Sequence, residues 1–184
     1  MPGDSPYAAV QAFTEPIQRA IACVGHHKVS VSPGGKQDLG KTHLLHVNDG
    51  YGVDLGDGFH LDVSIHYRIT KQEARSFKVD TEYYAHTLFH DDVEVFAMHW
   101  HPDGSSPYQD PHLHMRPHGL ELATHRAHLP TRRMTVEDAI EWSIGLGVTP
   151  ERDDWETIIG NSRDTHLDNA TWTIHSPNAP AESR

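Results

Sequence analysis

The sequence predicts an α+β fold, in which helices cover one face of an antiparallel β-sheet within a single domain spanning residues 1–184. Apolar and polar residues alternate over residues 59–70, which is typical of a long strand with one solvated face. Apolar residues recur at helical spacing in residues 6–24 and again in residues 135–160. A chain of 184 residues can bury a core without disulfides or structural metals.

The helical segments carry recognisable start signals. Asp4-Ser5-Pro6 combines a capping side chain with a proline at a first helical position, so the N-terminal helix should begin there. Pro16 lies inside the same segment and should kink that helix or divide it. In the C-terminal part, one helix should begin after Thr135, and a second should begin at Thr149 and end near Gly160.

Strands dominate the middle of the chain. Residues 26–58 contain short apolar runs among glycine-rich turns, which favour small strands and loops. The antiparallel sheet, with a histidine-bearing hairpin, is predicted over residues 59–122. Residues 176–184 are rich in proline and small polar residues, and we expect them to be disordered.

The hairpin register follows from a tight turn predicted at His90-Asp91-Asp92-Val93. A turn centred there pairs Trp100 with Tyr83 on the buried face, next to the pair Met98 and Ala85. The opposite face then carries the pairs His99–Tyr84, His101–Glu82 and Ala97–His86. Tyr84 and His86 are therefore predicted to be exposed beside the histidines.

Composition restricts the function classes. The net charge of −11 at pH 7 argues against broad, non-specific binding to nucleic acids or anionic membranes. The single cysteine, Cys23, excludes an intramolecular disulfide framework. Without a leader or an apolar run of about 20 residues, we expect a cytoplasmic protein with no membrane partner. The sequence leaves a homodimer open.

A local basic patch interrupts this acidic average. Residues 112–133 contain a single acid, Glu121, and four arginines: Arg116, Arg126, Arg132 and Arg133. This patch could bind the phosphates of an RNA substrate. Arg132 and Arg133 precede a capped helix, so pairing with nearby acids is an equally good interpretation for these two residues.

Two His-x-His segments, His99-Trp100-His101 and His112-Leu113-His114, are the main functional signal. Side chains two residues apart on a strand point the same way, roughly 6.6 Å from each other. If the segments pair, four imidazoles share one patch. The register adds further side chains to this predicted constellation: Glu82, Tyr84, His86 and Arg116.

One interpretation of the constellation is metal-independent cleavage of RNA. Histidine titrates near neutrality, so one imidazole can take a proton from a 2′-hydroxyl while another protonates the leaving oxygen. Arg116 would hold the phosphate. The candidate catalytic residues are His86, His99, His101, His112, His114 and Tyr84. This mechanism needs no cofactor.

The same four histidines could instead bind a metal. His99, His101, His112 and His114 offer the neutral nitrogens that zinc, copper and nickel prefer, with Glu82 as a possible carboxylate ligand. A third interpretation is a non-catalytic interaction domain. Histidines also occur far from the hairpin, for example at His26 and His175, where surface or structural roles suffice.

A family resemblance rests on Tyr83-Tyr84-Ala85-His86, Val93-Glu94-Val95-Phe96, His99-x-His101 and Pro111-His112-x-His114. In this order, over residues 59–146, the chain resembles the small bacterial toxins of the TumE-like family. The resemblance implies a toxin–antitoxin module acting through RNA, with an antitoxin partner that carries a DNA-binding domain.

The resemblance also implies site residues, namely Tyr84, His86, His99, His101, His112 and His114. Two features depart from the family. Its Arg-x-Asp before the paired histidines is Phe96-Ala97-Met98 here, so Arg116 or Arg126 would have to replace the arginine. This chain is also longer at both ends.

Overall fold

The structure is a computed structural model that describes residues 3–32, 37–73, 75–102, 108–116 and 128–172. The described residues form three helices: α1 (Pro6–Ile21), α2 (Val136–Gly145) and α3 (Trp155–Asn169). They also form nine strands: β1 (Val29–Ser32), β2 (Thr42–Val47), β3 (Val53–Gly56), β4 (Phe59–Glu73), β5 (Ser76–His90), β6 (Val93–Trp100), β7 (His112–Met115), β8 (Leu129–Pro130) and β9 (Ala170–Trp172).

All nine strands belong to one sheet. Seven lie in the order β1-β2-β4-β5-β6-β7-β8, and β3 pairs with β4 beyond the end of β2. These eight strands are antiparallel to their neighbours, whereas β9 runs parallel to β5. The α+β prediction with an antiparallel sheet is therefore confirmed.

The core lies between the helices and one face of the sheet. Helix α1 contributes Phe13 and Ile17, helix α2 contributes Ile140, and β4 contributes Leu61 and Tyr67, all of them fully buried. On the opposite face of β4, the alternate residues are exposed or partly exposed, which confirms the solvated face predicted for residues 59–70. No helix within the described residues is long and apolar enough to cross a membrane.

The helices differ from their predicted bounds. Helix α1 ends at Ile21 and continues through Pro16 without a break, so a division of the helix at Pro16 is wrong, whereas a kink there stays a prediction. Pro16 is buried, and its packing offsets the lost hydrogen bond. Helix α3 begins at Trp155 rather than Thr149 and passes Gly160 to reach Asn169. Packing against α1 and α2 outweighs the low helix propensity of that glycine.

The predicted position of the hairpin turn is confirmed, but the predicted strand register beyond the turn is wrong by one residue. Asp91 and Asp92 have φ values of 49° and 62°, as a two-residue hairpin turn requires, and His90 pairs with Val93. An extra residue in β6, Val95, then forms a bulge, because Phe89 pairs with Glu94 while Leu88 pairs with Phe96. All later pairs in the ladder are displaced by one position.

The displaced register reverses the faces of β5. Tyr84 now pairs with Trp100, and His86 with Met98, so both are buried on the core side. Tyr83 and Ala85 lie on the outer face instead. A second bulge lies in β5, where it pairs with β4. His66 pairs with Tyr83 and Tyr67 with Thr81, so Glu82 is an extra residue in β5.

Several predictions fall on residues outside the described ranges. These are Arg126, the last part of the predicted sheet (residues 117–122) and the expected disorder of residues 176–184. Within the described ranges, Met115 lies on the core side of β7 but is 37% exposed. It lies at the end of β7, beyond the part that β8 covers.

Candidate functional site

Strands β6 and β7 bring the two His-x-His segments together on the outer face of the sheet. His99 pairs directly with His112, and Ala97 pairs with His114. The ring centroid of His99 lies 5.8 Å from that of His112 and 5.3 Å from that of His114. His101 completes the patch, with its ring 5.1 Å from that of His112. The predicted common direction of these four imidazoles is confirmed.

His128 is a fifth member of this patch. It directly precedes β8, which pairs with β7, and its ring centroid lies 4.7 Å from those of both His112 and His114. Tyr108 stacks on His128 at 5.4 Å and contacts His112 edge-on. We call His99, His101, His112, His114 and His128 the histidine cluster.

Three members of the histidine cluster have the spacing of metal ligands. One ring nitrogen from each of His99, His112 and His114 lies within 4.8 Å of the other two, and this is the single such group among the described residues. His112 is buried, whereas His99 and His114 are partly exposed. The group is therefore reachable from solvent yet anchored in the sheet.

The hydrogen bonds of His112 define which nitrogen is available. Its Nδ1 lies 2.7 Å from the backbone carbonyl oxygen of Asp110. A carbonyl can only accept, so Nδ1 carries the proton and Nε2 presents a lone pair. That Nε2 is buried and has no hydrogen-bond partner among the described residues. Histidines that bind a metal through one ring nitrogen usually donate the other ring N–H to a carboxylate, a backbone carbonyl or water. His112 has the same arrangement, with Nδ1 donating to the Asp110 carbonyl and Nε2 left for a metal.

Burial favours the neutral form of the three candidate ligands, His99, His112 and His114. Burial, together with His114 and His112, lowers the pKa of His99 to about 4. Burial is also the main cause that lowers the pKa of His112, and it lowers that of His114 with help from His128. Neutral imidazoles have the lone pair that a metal requires, whereas a group with a pKa of about 4 is rarely protonated at neutral pH.

Tyr84 and His86 do not belong to the histidine cluster, contrary to the sequence prediction. Both side chains are buried under the sheet, and they stack on each other at 5.2 Å. The Tyr84 hydroxyl accepts a hydrogen bond from the backbone N–H of Met134, which ties the sheet to the segment before α2. Neither Tyr84 nor His86 can therefore transfer a proton to a substrate that binds on the outer face.

Of the predicted basic patch, the structure describes Arg116, Arg132 and Arg133, and each has a local partner. Arg132 forms an ion pair of 2.6 Å with Asp138, which is also part of the Thr135 capping box. The guanidinium of Arg133 lies 4.3 Å from the centre of a Trp100 ring. Arg116 lies 3.5 Å from Glu94. Pairing with nearby acids is thus confirmed for Arg132.

Glu82, the predicted carboxylate ligand, is outside the three-histidine group. Its two oxygens accept from Arg68 and from the Thr42 hydroxyl, each at 2.8 Å. His128 is the member of the cluster that sequence reasoning missed. It stands before a strand of two residues, which is too short to show an alternating pattern, so no periodic signal could place it.

The geometry thus gives three imidazoles, His99, His112 and His114, whose neutral form is favoured by burial, and the hydrogen bond to Asp110 fixes the tautomer of His112. Relatives could have supplied an independent indication of function. Comparison of the chain with protein-family models, with curated proteins and with solved structures found no match.

Proposed function

We propose that this protein is a transition-metal protein whose centre is formed by His99, His112 and His114, with zinc as the best-fitting ion. The observation that carries the proposal is the convergence of one ring nitrogen from each of His99, His112 and His114. It is supported by the buried Nε2 of His112, which has no hydrogen-bond partner among the described residues. Imidazole nitrogen is a preferred donor for zinc, copper and nickel.

The donor set favours a reactive centre over a purely structural one. Structural zinc sites have four protein ligands, whereas three histidines leave a position for water or substrate. When bound, zinc lowers the pKa of its water and supplies a hydroxide for hydrolysis at neutral pH. His99, His112 and His114 would hold the ion, and the Asp110 carbonyl would orient His112. His101 and His128 lie close enough to the ligands to position a polar group.

A toxin-like endoribonuclease with a cognate antitoxin in the cytoplasm stays a prediction. Its metal-independent form is less well supported, because Tyr84 and His86 are buried and His99 has a lowered pKa. Cleavage of RNA by a metal-bound hydroxide would be compatible with the proposed centre. The experiment therefore includes RNA as one of its arms.

The test is the metal content of protein purified without a histidine tag, then stripped with a chelator and reloaded with zinc. We expect about one zinc per chain in the wild type and a loss of binding in His112→Ala and His114→Ala. His26→Ala is the matched control, because the His26 side chain is 89% exposed and outside the cluster.

Equal metal content in the wild type, His112→Ala and His114→Ala would contradict the proposal. RNA incubated with the wild type, with and without chelator, separates the two mechanisms. Cleavage that survives the chelator and is lost in His112→Ala would favour the metal-independent nuclease instead.

A further inference from the structure

A groove on the outer face adjoins the histidine cluster. It has a volume of about 410 Å³, and its lining includes Thr42, His66, Arg68, Glu82, Tyr83 and His101. That volume is within the range of small-molecule sites. His101 belongs to both the groove and the histidine cluster, so a molecule in the groove ends beside the proposed metal ligands.

Three rings line the groove. Tyr83 is half-buried, and its ring centroid lies 4.8 Å from that of His66 on β4, with the two ring planes inclined by 44°. On the other side, the centroids of Tyr83 and His101 are 6.4 Å apart, and their ring planes are inclined by 26°. A row of rings of this kind is suited to stacking against a planar ligand, as in aromatic platforms that bind bases.

The far end of the groove carries a cation. The Nη2 of Arg68 pairs with Glu82, whose other oxygen accepts from Thr42. Glu82 is the one carboxylate within ion-pair distance of Arg68 among the described residues, although Asp80 also interacts with Arg68 electrostatically, and the Arg68 side chain is 44% exposed. Because Thr42 holds Glu82, and Glu82 in turn contacts a single guanidinium nitrogen, the exposed part of the guanidinium can face a ligand oxyanion.

We propose that this groove binds a nucleoside monophosphate or a nucleotide unit of the same chemistry, with its base on Tyr83 and its phosphate at Arg68. Two strand spacings, roughly 10 Å, separate β4 from β6, and Arg68 lies two residues, roughly 7 Å, beyond His66 along β4. Arg68 and His101 are therefore roughly 12 Å apart, which suits a ligand of that length. As an assignment of substrate class for the metal centre, this inference rests on the proposed function. Binding in the groove does not require the metal.

The experiment measures binding of the four ribonucleoside monophosphates by calorimetry, to both zinc-free and zinc-loaded protein. Uridine alone and ribose phosphate alone serve as part-probes for the base and the anion. Base stacking tolerates every base, so we expect all four nucleotides to bind, and each more tightly than either part-probe.

Two variants separate the contribution of the base from that of the phosphate to nucleotide binding. Tyr83→Ala should weaken nucleotide binding roughly 5- to 150-fold. Arg68→Gln, which keeps a donor for Glu82, should weaken nucleotides about tenfold and leave uridine unchanged. Tyr51→Ala is the control, because Tyr51 is 78% exposed and does not line the groove. Zinc content should be unchanged in all three variants, which also shows that they are folded.

The outcomes distinguish this inference from the proposed function. Zinc binding without any nucleotide binding overturns the inference and leaves the metal centre intact. Nucleotide binding that Tyr83→Ala and Tyr51→Ala affect equally also overturns it. Nucleotide binding to a chain that never takes up zinc supports the groove and refutes the metal centre.

Discussion

Acid should destabilise this protein measurably through one buried side chain, His86. It lies under the sheet, stacked on Tyr84 and near Glu137 and His166. Burial lowers the pKa of His86 from 6.5 to about 4. Between these values the unfolded chain binds a proton that the folded chain does not, so stability must fall as the pH falls. The contribution is fully present above pH 6.5 and is lost progressively toward pH 4.

The magnitude follows from proton linkage. Each pKa unit corresponds to about 1.4 kcal/mol, so the full effect of His86 is about 3 kcal/mol. Between about pH 7 and pH 5, most of the unfolded histidine becomes protonated, and the loss amounts to about 2 kcal/mol. The variant His86→Phe retains a ring against Tyr84 but cannot titrate. It should therefore lose about 2 kcal/mol less than the wild type over this range.

Urea unfolding at the two pH values measures this difference. A chelator must be present, since bound metal would add its own pH dependence. His26→Ala is the control for removal of an exposed imidazole, and it should follow the wild type. If the free energy of unfolding fell by the same amount from pH 7 to pH 5 in the wild type and in His86→Phe, the prediction would be wrong. That result would mean that His86 is solvated or paired in the folded state.

Three further predictions concern other parts of the molecule. Zinc at a free concentration roughly a hundredfold above its Kd should stabilise the wild type by about 2.7 kcal/mol, or about 5–11 °C in Tm, and a thermal melt of His112→Ala should show no rise. Glu137 on α2 and His166 on α3 form a buried hydrogen-bonded pair, with Oε2 of Glu137 2.9 Å from Nδ1 of His166. Glu137→Ala should cost about 1–3 kcal/mol in urea unfolding, because it leaves the buried Nδ1 of His166 without its partner, and the double variant with His166→Ala should cost less than the sum of the single variants. Gly52→Ala should destabilise the chain by more than about 1 kcal/mol on the same assay, because the new Cβ would lie 2.6 Å from Nε2 of His60 and the backbone has a φ of +72°.

The overall fold was predictable because its signals are periodic. The alternation in residues 59–70 identifies β4, and the Thr135 cap identifies α2. The bulges at Glu82 and Val95 were not predictable. Each inserts one residue into a ladder, and the sequence around Tyr83 and Tyr84 places an aromatic side chain on either face.

The sequence predicted only part of the candidate site, because the residues that lie beyond a bulge change face. The four paired histidines lie on β6 and β7, where one register suffices to set their common direction. Tyr84 and His86 lie beyond a bulge, so the shift moved them to the core. His128 reaches the cluster through a two-residue strand, a tertiary contact without a local pattern.

Crystals of untagged protein soaked with zinc, measured above and below the zinc absorption edge, test the metal centre most directly. The proposed metal centre predicts one strong anomalous peak between the rings of His99, His112 and His114, within about 2.0–2.1 Å of one nitrogen from each. It also predicts that Nδ1 of His112 still donates to the Asp110 carbonyl. A strong peak elsewhere, with none between these three rings, would contradict it.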